Sequence, residues 1–138
     1  MIRSHCIVAL TALIGLVLTL NLTSAMGPKR YHEGETQRGL ASWYGAEEGW
    51  RTSSGERFDP RKLTAAHRRL PFGTIVRVTN QSNGLSVDVR INDRGPFGDG
   101  DRIIDLSSAA ADVLHMKKAG IVPVEIEIVE LASPGHSN

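Results

Sequence analysis

Residues 87–107, V-D-V-R-I-N-D-R-G-P-F-G-D-G-D-R-I-I-D-L-S, constrain the fold more than any other part of the chain. A strictly alternating strand runs into a tight polar turn holding Asp93, and a second short apolar run ends at Asp105. Leu85, Val87, Val89 and Ile91 share one face while Ser86, Asp88 and Arg90 share the other, which is the period of a half-buried strand. Two carboxylates therefore stand at strand ends on either side of a loop rich in Gly and Pro. Rigid strands that present carboxylates at loop mouths can build catalytic and sugar-binding sites. The stretch makes the chain a candidate carbohydrate-active β domain.

The remaining pattern is mostly short strands. Gly39–Tyr44 reads as a first strand, Thr64–Ala66 as a second, and Thr74–Asn80 as a third, with Val76 and Val78 on one face. Asn83-Gly84 is a hairpin signal leading into Leu85–Ile91. Arg102–Asp105 is a further short strand. Ser107 suits the N-cap of an alanine-rich helix over Ser108–Met116, with Lys117 and Lys118 at its negative end and Gly120 to stop it. Val122–Val129 closes the series, with Val122, Val124, Ile126 and Ile128 inward. Gly45–Pro60 is a loop long enough to suspect a function. Many short strands with one helix suggest a mainly β fold, a small barrel.

The ends read differently. Arg3, the apolar run Ile7–Leu20 and the small residues Thr23-Ser24-Ala25 have the three-part layout of a secretory signal over residues 1–25. The apolar run is shorter than the roughly 20 residues a membrane-spanning helix prefers, so no stable membrane anchor is expected after cleavage. Residues 26–38 are polar and aperiodic and read as a flexible leader, 39–131 as one domain, and 132–138 as a tail. The single cysteine, Cys6, lies at the start of the apolar run, where it is misplaced for lipidation and would leave with the signal. The processed chain would have neither disulfide nor thiolate metal site, and must rely on its core. Arg3 is the one Lys or Arg before residue 26, so the rest carries 15 of each sign. That balance gives no electrostatic footprint for nucleic acid.

Four ionisable residues could carry chemistry: Glu56 in the long loop, His67 after the second strand, Asp93 and Asp105. Paired carboxylates that cleave polysaccharides divide the labour, one donating a proton to the leaving oxygen and the other accepting one or stabilising a cationic sugar. Each also has a plain structural role open to it. Asp93 could cap its turn, Asp105 could bond the helix start or pair with Arg94 or Arg102, Glu56 could be a solvated charge, and His67 an edge histidine. Trp43, Tyr44 and Trp50, three of seven aromatic residues, crowd the long loop as core residues or a sugar-stacking platform. His67 lacks a second histidine at helical spacing, so a metal site is not expected.

At this point the motifs carry a resemblance. Gly39-Leu-Ala-Ser-Trp-Tyr-Gly45, Ser54-Gly-Glu-Arg-Phe-Asp59, Leu63–Asn80 and Val89–Ser107 are similar, in order, to the RlpA (rare lipoprotein A) family, over essentially all of residues 39–130. The resemblance implies a six-stranded double-psi β-barrel of the expansin and barwin kind. It implies an endolytic lytic transglycosylase that cuts the MurNAc-β-1,4-GlcNAc bond of peptide-poor peptidoglycan strands and closes a 1,6-anhydro ring, without cofactor or metal. Its functional residues fall on Glu56, Asp93 and His67, and Asp105 matches the acidic residue of the D-L-S motif. Asp93 is then expected to protonate the leaving oxygen, with Glu56 helping to deprotonate the 6-hydroxyl or stabilising the cationic transition state, and His67 orienting a carboxylate or hydrogen-bonding the glycan. The glycan would pass Trp43, Tyr44, Asn92 and Arg94. A monomer exported to the periplasm or beyond is expected, and nothing after the domain resembles the peptidoglycan-binding SPOR module of many members. The alternatives are a glycoside hydrolase on the same barrel, a non-catalytic expansin-like wall-binding module, and a secreted protein-interaction domain.

Overall fold

A computed structural model describes residues 27–45, 49–98 and 100–133. The expected signal over residues 1–25, including Cys6, lies outside the described residues. The elements run β1 (Thr36–Trp43), β2 (Thr64–Ala66), β3 (Ile75–Asn80), β4 (Ser86–Asp93), β5 (Arg102–Leu106), α1 (Ser108–Val113) and β6 (Val122–Glu130). Six strands close into a barrel in the order β1-β5-β2-β4-β3-β6. The β1–β5 and β2–β4 pairs are parallel, and the other four pairings are antiparallel. The mainly β six-stranded barrel with one short helix is the architecture the sequence led us to expect.

Alternation explains the core. Val76 and Val78 of β3, Val87, Val89 and Ile91 of β4, and Val122, Val124, Ile126 and Ile128 of β6 are all buried. The opposite face of the β3–β4 hairpin is a polar ladder. Arg77 pairs with Asp88 at 2.9 Å, and Thr79 meets Ser86 at 2.9 Å, both in cross-strand register. Such pairs fix register more than they add stability. Among the described residues, no helix is long and apolar enough to cross a membrane.

Two boundaries differ from the sequence reading. The segment taken as a flexible leader is partly structure: β1 starts at Thr36 and pairs with β6 from Thr36↔Glu127 onward. Before it, Gly34 N–H donates to Ile128 O (2.8 Å), Lys29 pairs with Glu35 (2.9 Å), and Tyr31 packs on the core. The stretch looked aperiodic because backbone pairing to β6, not an apolar face, holds it. The helix ends three residues earlier than Met116. His115 takes a left-handed φ of 50°, His115 N–H donates to Asp112 O and Met116 N–H to Ala111 O, the double bond of a Schellman cap. The Asn80 and Asn83 side-chain amides each donate to Leu114 O at 3.0 Å. His115, not Gly120, therefore stops the helix, and two asparagines of the β3–β4 hairpin take over its last free carbonyl.

Among the described glycines, the most tightly enclosed is Gly39, where β1 meets the entry to β5. A Cβ there would stand 2.6 Å from Ile103 Cγ2 and 2.9 Å from Asp101 O, whereas one at Gly45 would meet nothing within 4 Å. Gly39→Ala should destabilise the barrel by about 1–3 kcal/mol through overpacking, and Gly45→Ala should change stability by less than about 0.5 kcal/mol. Urea unfolding of the two variants beside the parent measures both.

Candidate active site

The register of four strands builds one row of side chains. Ser42 of β1 lies opposite Asp105 of β5, Asp105 opposite Ala66 of β2, and Ala66 opposite Asp93 of β4. Their neighbours Ala41, Ile104, Leu106, Ala65 and Ile91 are core residues. Plain alternation would turn Asp93 to the core face with Ile91. The β2–β4 register slips by one between Ala65 and Ala66, so that Ala65 faces Ile91 but Ala66 faces Asp93, and Asn92 is the extra residue. A slip of this kind re-aims the side chain that follows it. With strands about 4.8 Å apart, Asp93 and Asp105 sit about 10 Å apart at their Cα atoms, one on each side of Ala66.

Both carboxylates line a cleft of about 380 Å³ with Tyr44, Trp50, Ala66, Phe97 and Arg102. Their surroundings differ. Asp93 is buried, and its Oδ1 accepts the backbone N–H of Ser53 (2.8 Å) and of Arg94 (2.9 Å). Asp105 Oδ1 accepts the Ser42 hydroxyl at 3.0 Å, and Arg102 Nη1 donates to that same hydroxyl oxygen at 3.2 Å. Burial pushes the Asp105 carboxyl above the usual range, and the charge of Asp93 pushes the same way; the Ser42 bond and Arg102 offset part of this.

Residues 49–58 form one wall of the site. This part of the expected loop is a small hairpin: Gly49 N–H donates to Phe58 O (3.1 Å), Phe58 N–H to Trp50 O (2.8 Å), Arg51 bridges Arg57, and Thr52 N–H donates to Glu56 O (2.9 Å). Gly55 supplies the left-handed turn with φ 87°. Buried Phe58 anchors it, stacked on Trp50 (centroids 4.8 Å) and edge-on to Tyr44 (4.9 Å). Glu56 Oε1 and Oε2 accept both terminal nitrogens of Arg90 at 2.7 and 2.8 Å. That bidentate bond, with the Arg90 charge, holds the Glu56 carboxyl below its usual range. Glu56 is thus kept ionised beside the cleft rather than lining it.

Of the eight residues singled out in the sequence, the structure gathers Asp93, Asp105, Tyr44 and Arg94 at the cleft, with Glu56 at its flank. Burial pushes the Tyr44 hydroxyl strongly up, reinforced by the charges of Asp93 and Asp105. That hydroxyl and Thr64 Oγ1 are buried near one another without meeting hydrogen-bond geometry. Arg94 lies over the Phe72 ring at 3.8 Å and donates to His67 O and Leu70 O, so it fastens a turn as well as lining the cleft. The rest point elsewhere. Trp43, opposite Leu106, packs on the core with Lys117 over its ring at 5.4 Å. Asn92 is buried with its amide beside Glu56. The His67 ring is absent from the cleft lining; its backbone N–H donates to Asp93 O at 3.1 Å. Ser42, Trp50, Ala66, Phe97 and Arg102 complete the site without having been singled out as site residues. Trp50 and Arg102 carried a signal, in the aromatic cluster and in the possible pairing with Asp105; for Ser42 and Ala66 the signal is register alone, which the sequence does not print. Among the described residues, no three His, Cys, Asp or Glu side chains gather as a metal site would require.

The His67 ring has a structural task. Nδ1 accepts the N–H groups of Arg69 (3.1 Å) and Leu70 (3.0 Å), which puts the proton on Nε2, 3.3 Å from Gln37 Oε1. Burial, helped by Arg94 and Arg68, lowers its pKa from 6.5 to about 4. The unfolded chain therefore takes up a proton between these values that the folded one refuses. The contribution is fully present above pH 6.5 and is lost as pH falls towards about 4, up to roughly 3 kcal/mol. Stability measured by denaturant between pH 7 and 4 should decline with this slope, and His67→Gln should lower stability at pH 7 and flatten the slope.

The comparisons with known proteins agree with this geometry. The family model described as lytic transglycolase matches residues 36–126. A probable endolytic peptidoglycan transglycosylase RlpA of Nostoc sp. is 59% identical over 95 residues, covering 67% of this chain and 25% of that protein. The endolytic peptidoglycan transglycosylase RlpA of Campylobacter jejuni is 48% identical over 76% of this chain and 38% of its own length; that of Neisseria meningitidis serogroup B is 51% identical over 80% and 45%. The chain thus spans a quarter to under a half of these relatives. Among solved structures, the Streptomyces papain inhibitor superposes with TM-score 0.59 at 24% identity, over 71% of this chain and 97% of that one. The Clavibacter michiganensis expansin does so with TM-score 0.58 at 23% identity, over 72% and 54%. These two likenesses speak to the fold alone. With the family model matched from the start of β1 into β6 and the Ser42–Asp105–Ala66–Asp93 row in place, the chain belongs to the RlpA-type lytic transglycolase family of double-psi β-barrels.

Proposed function

We propose that this barrel is an endolytic peptidoglycan transglycosylase, cutting the MurNAc-β-1,4-GlcNAc bond in peptide-poor glycan strands. The observation that carries the reading is the pair of carboxylates, Asp93 and Asp105, flanking Ala66 in one cleft. The environments of the two separate their roles. A buried carboxyl with a raised pKa keeps its proton towards neutral pH, which suits Asp105 to protonate the leaving oxygen. Two backbone N–H groups fix one Asp93 oxygen in place beside the cleft, which suits that side chain to accept a proton. This exchanges the donor role that the sequence reading gave to Asp93. Glu56, tied to Arg90, has its oxygens committed; its fixed negative charge stabilises cationic character at the sugar and steadies the 52–56 turn rather than removing a proton.

The step balances without water. Asp105 gives its proton to the bridging oxygen as the bond from muramyl C1 to that oxygen breaks. The muramyl 6-hydroxyl oxygen attacks C1, and its proton passes to Asp93. The products are a GlcNAc bearing a free 4-hydroxyl and a 1,6-anhydromuramyl end, and solvent returns the two carboxyls to their starting states. An enzyme with this substrate would work in the cell envelope, the compartment expected from the signal-like residues 1–25.

Mass spectrometry of peptide-stripped glycan strands treated with the chain should show anhydro-ended fragments. Asp93→Asn and Asp105→Asn should each lower kcat by about 10²–10⁴-fold without loss of fold. Since Asp105 must be protonated, activity should fall as pH rises through its raised pKa. Products that carry oxygen from labelled water would instead identify a hydrolase, and strands bound but uncut by a folded chain would identify a binding module.

A further inference from the structure

Phe97 is the most exposed large apolar side chain among the described residues, at 72%. An exposed phenylalanine on a loose tip would carry no meaning, but this one is held. The carbonyls of Pro96 and Phe97 are both gripped by guanidinium groups: Arg68 Nε donates to Pro96 O at 2.7 Å and Arg102 Nη2 to Phe97 O at 3.4 Å. Left-handed glycines bracket the turn, Gly95 at φ 130° and Gly98 at φ 94°. The ring lies back over Gly95, with Cε2 and Cδ2 3.6 and 3.7 Å from where a Cβ would stand. Its position also matters. Phe97 and Trp50 both line the cleft floored by Asp93 and Asp105, whereas Leu63, Leu85, Val113, Ile121 and Val129, the other exposed large apolar side chains, do not. Solvent-facing apolar area is therefore present at the rim of a polar, acid-bearing cleft, where an apolar partner surface alone would leave the carboxylates unpaired.

We infer that Phe97 is a saccharide-stacking platform, which seats the apolar face of a pyranose ring beside the bond that is cut. The C–H groups of a β-1,4-linked sugar lie on its ring faces while its hydroxyls and acetamido groups lie around its edge. Such a ring presents apolar area to an aromatic face and polar groups to Asp93, Asp105 and Arg102 at the same time. The Arg102 guanidinium joins the two halves of the site, since it touches both Phe97 O and the Ser42 hydroxyl that bonds Asp105. The inference rests on the glycan-cleaving reading above, and its test separates the two.

The test uses the full chain with Phe97→Ala and Phe97→Trp. Each is assayed for cleavage of peptide-stripped glycan strands, and each is also built on Asp93→Asn and titrated with the same strands. Removal of the ring should weaken binding about tenfold and lower kcat/KM by a similar factor, mostly through KM, with the melting temperature unchanged because the ring is exposed. Tryptophan should restore both. A Phe97→Ala chain that binds strands as tightly as its parent overturns the stacking role, even where cleavage stands. Strands that are bound in a Phe97-dependent way yet never cut by the parent uphold the stacking role and overturn the cleavage. A parent that binds no strands overturns both.

Discussion

The site depends on the double pairing of β2, a strand of three residues. Ala65 and Ala66 bond to β4 on one side and β5 on the other, and both are buried. A strand this short contributes little surface, yet it is the seam that brings Asp93 and Asp105 to one level. The two neighbours run in opposite senses relative to it, one parallel and one antiparallel, so no hairpin could have produced the same row. Closure of the barrel and assembly of the cleft are the same event. A chain with the right strands and one wrong register would keep its core pattern and lose the pair.

The site then treats its carboxylates in three ways. Glu56 is held ionised by a bidentate arginine, Asp93 is oriented by backbone N–H groups, and Asp105 is desolvated beside a serine hydroxyl. Acids that would look alike in composition are thereby held apart: Glu56 is pushed below the usual carboxylate range and Asp105 above it. The arginines do matching structural work: Arg90 holds the 52–56 turn, Arg94 the 67–70 turn, and Arg68 and Arg102 the turn at Phe97.

Much of the fold is legible in the sequence because alternation is strict where one face is buried. The inward residues of β3, β4 and β6 could be named from period alone. The site was legible as residue types at loop mouths, and Asp93, Asp105 and Tyr44 do meet. Trp43 and Asn92 fall outside the cleft lining for one reason: both adjoin a cleft residue in sequence, and in a strand neighbours face opposite ways. The slip at Asn92 that returns Asp93 to the cleft leaves no mark in residue types. The His67 ring stands outside the cleft lining because it serves the turn that follows it, a local capping role that has no periodic signature. The helix end escaped because a histidine, not a glycine, took the left-handed position, held by Asn80 and Asn83 from forty residues away in sequence or less.

The 49–58 hairpin is fastened to β4 at three points: Ser53 to Asp93, Ser54 to Asn92 and Glu56 to Arg90. The strand that carries the carboxylate and the wall that faces it consequently form a single body. A wall already in place has little disorder to surrender when a polymer arrives, so contact with the strand is not taxed by a closing motion.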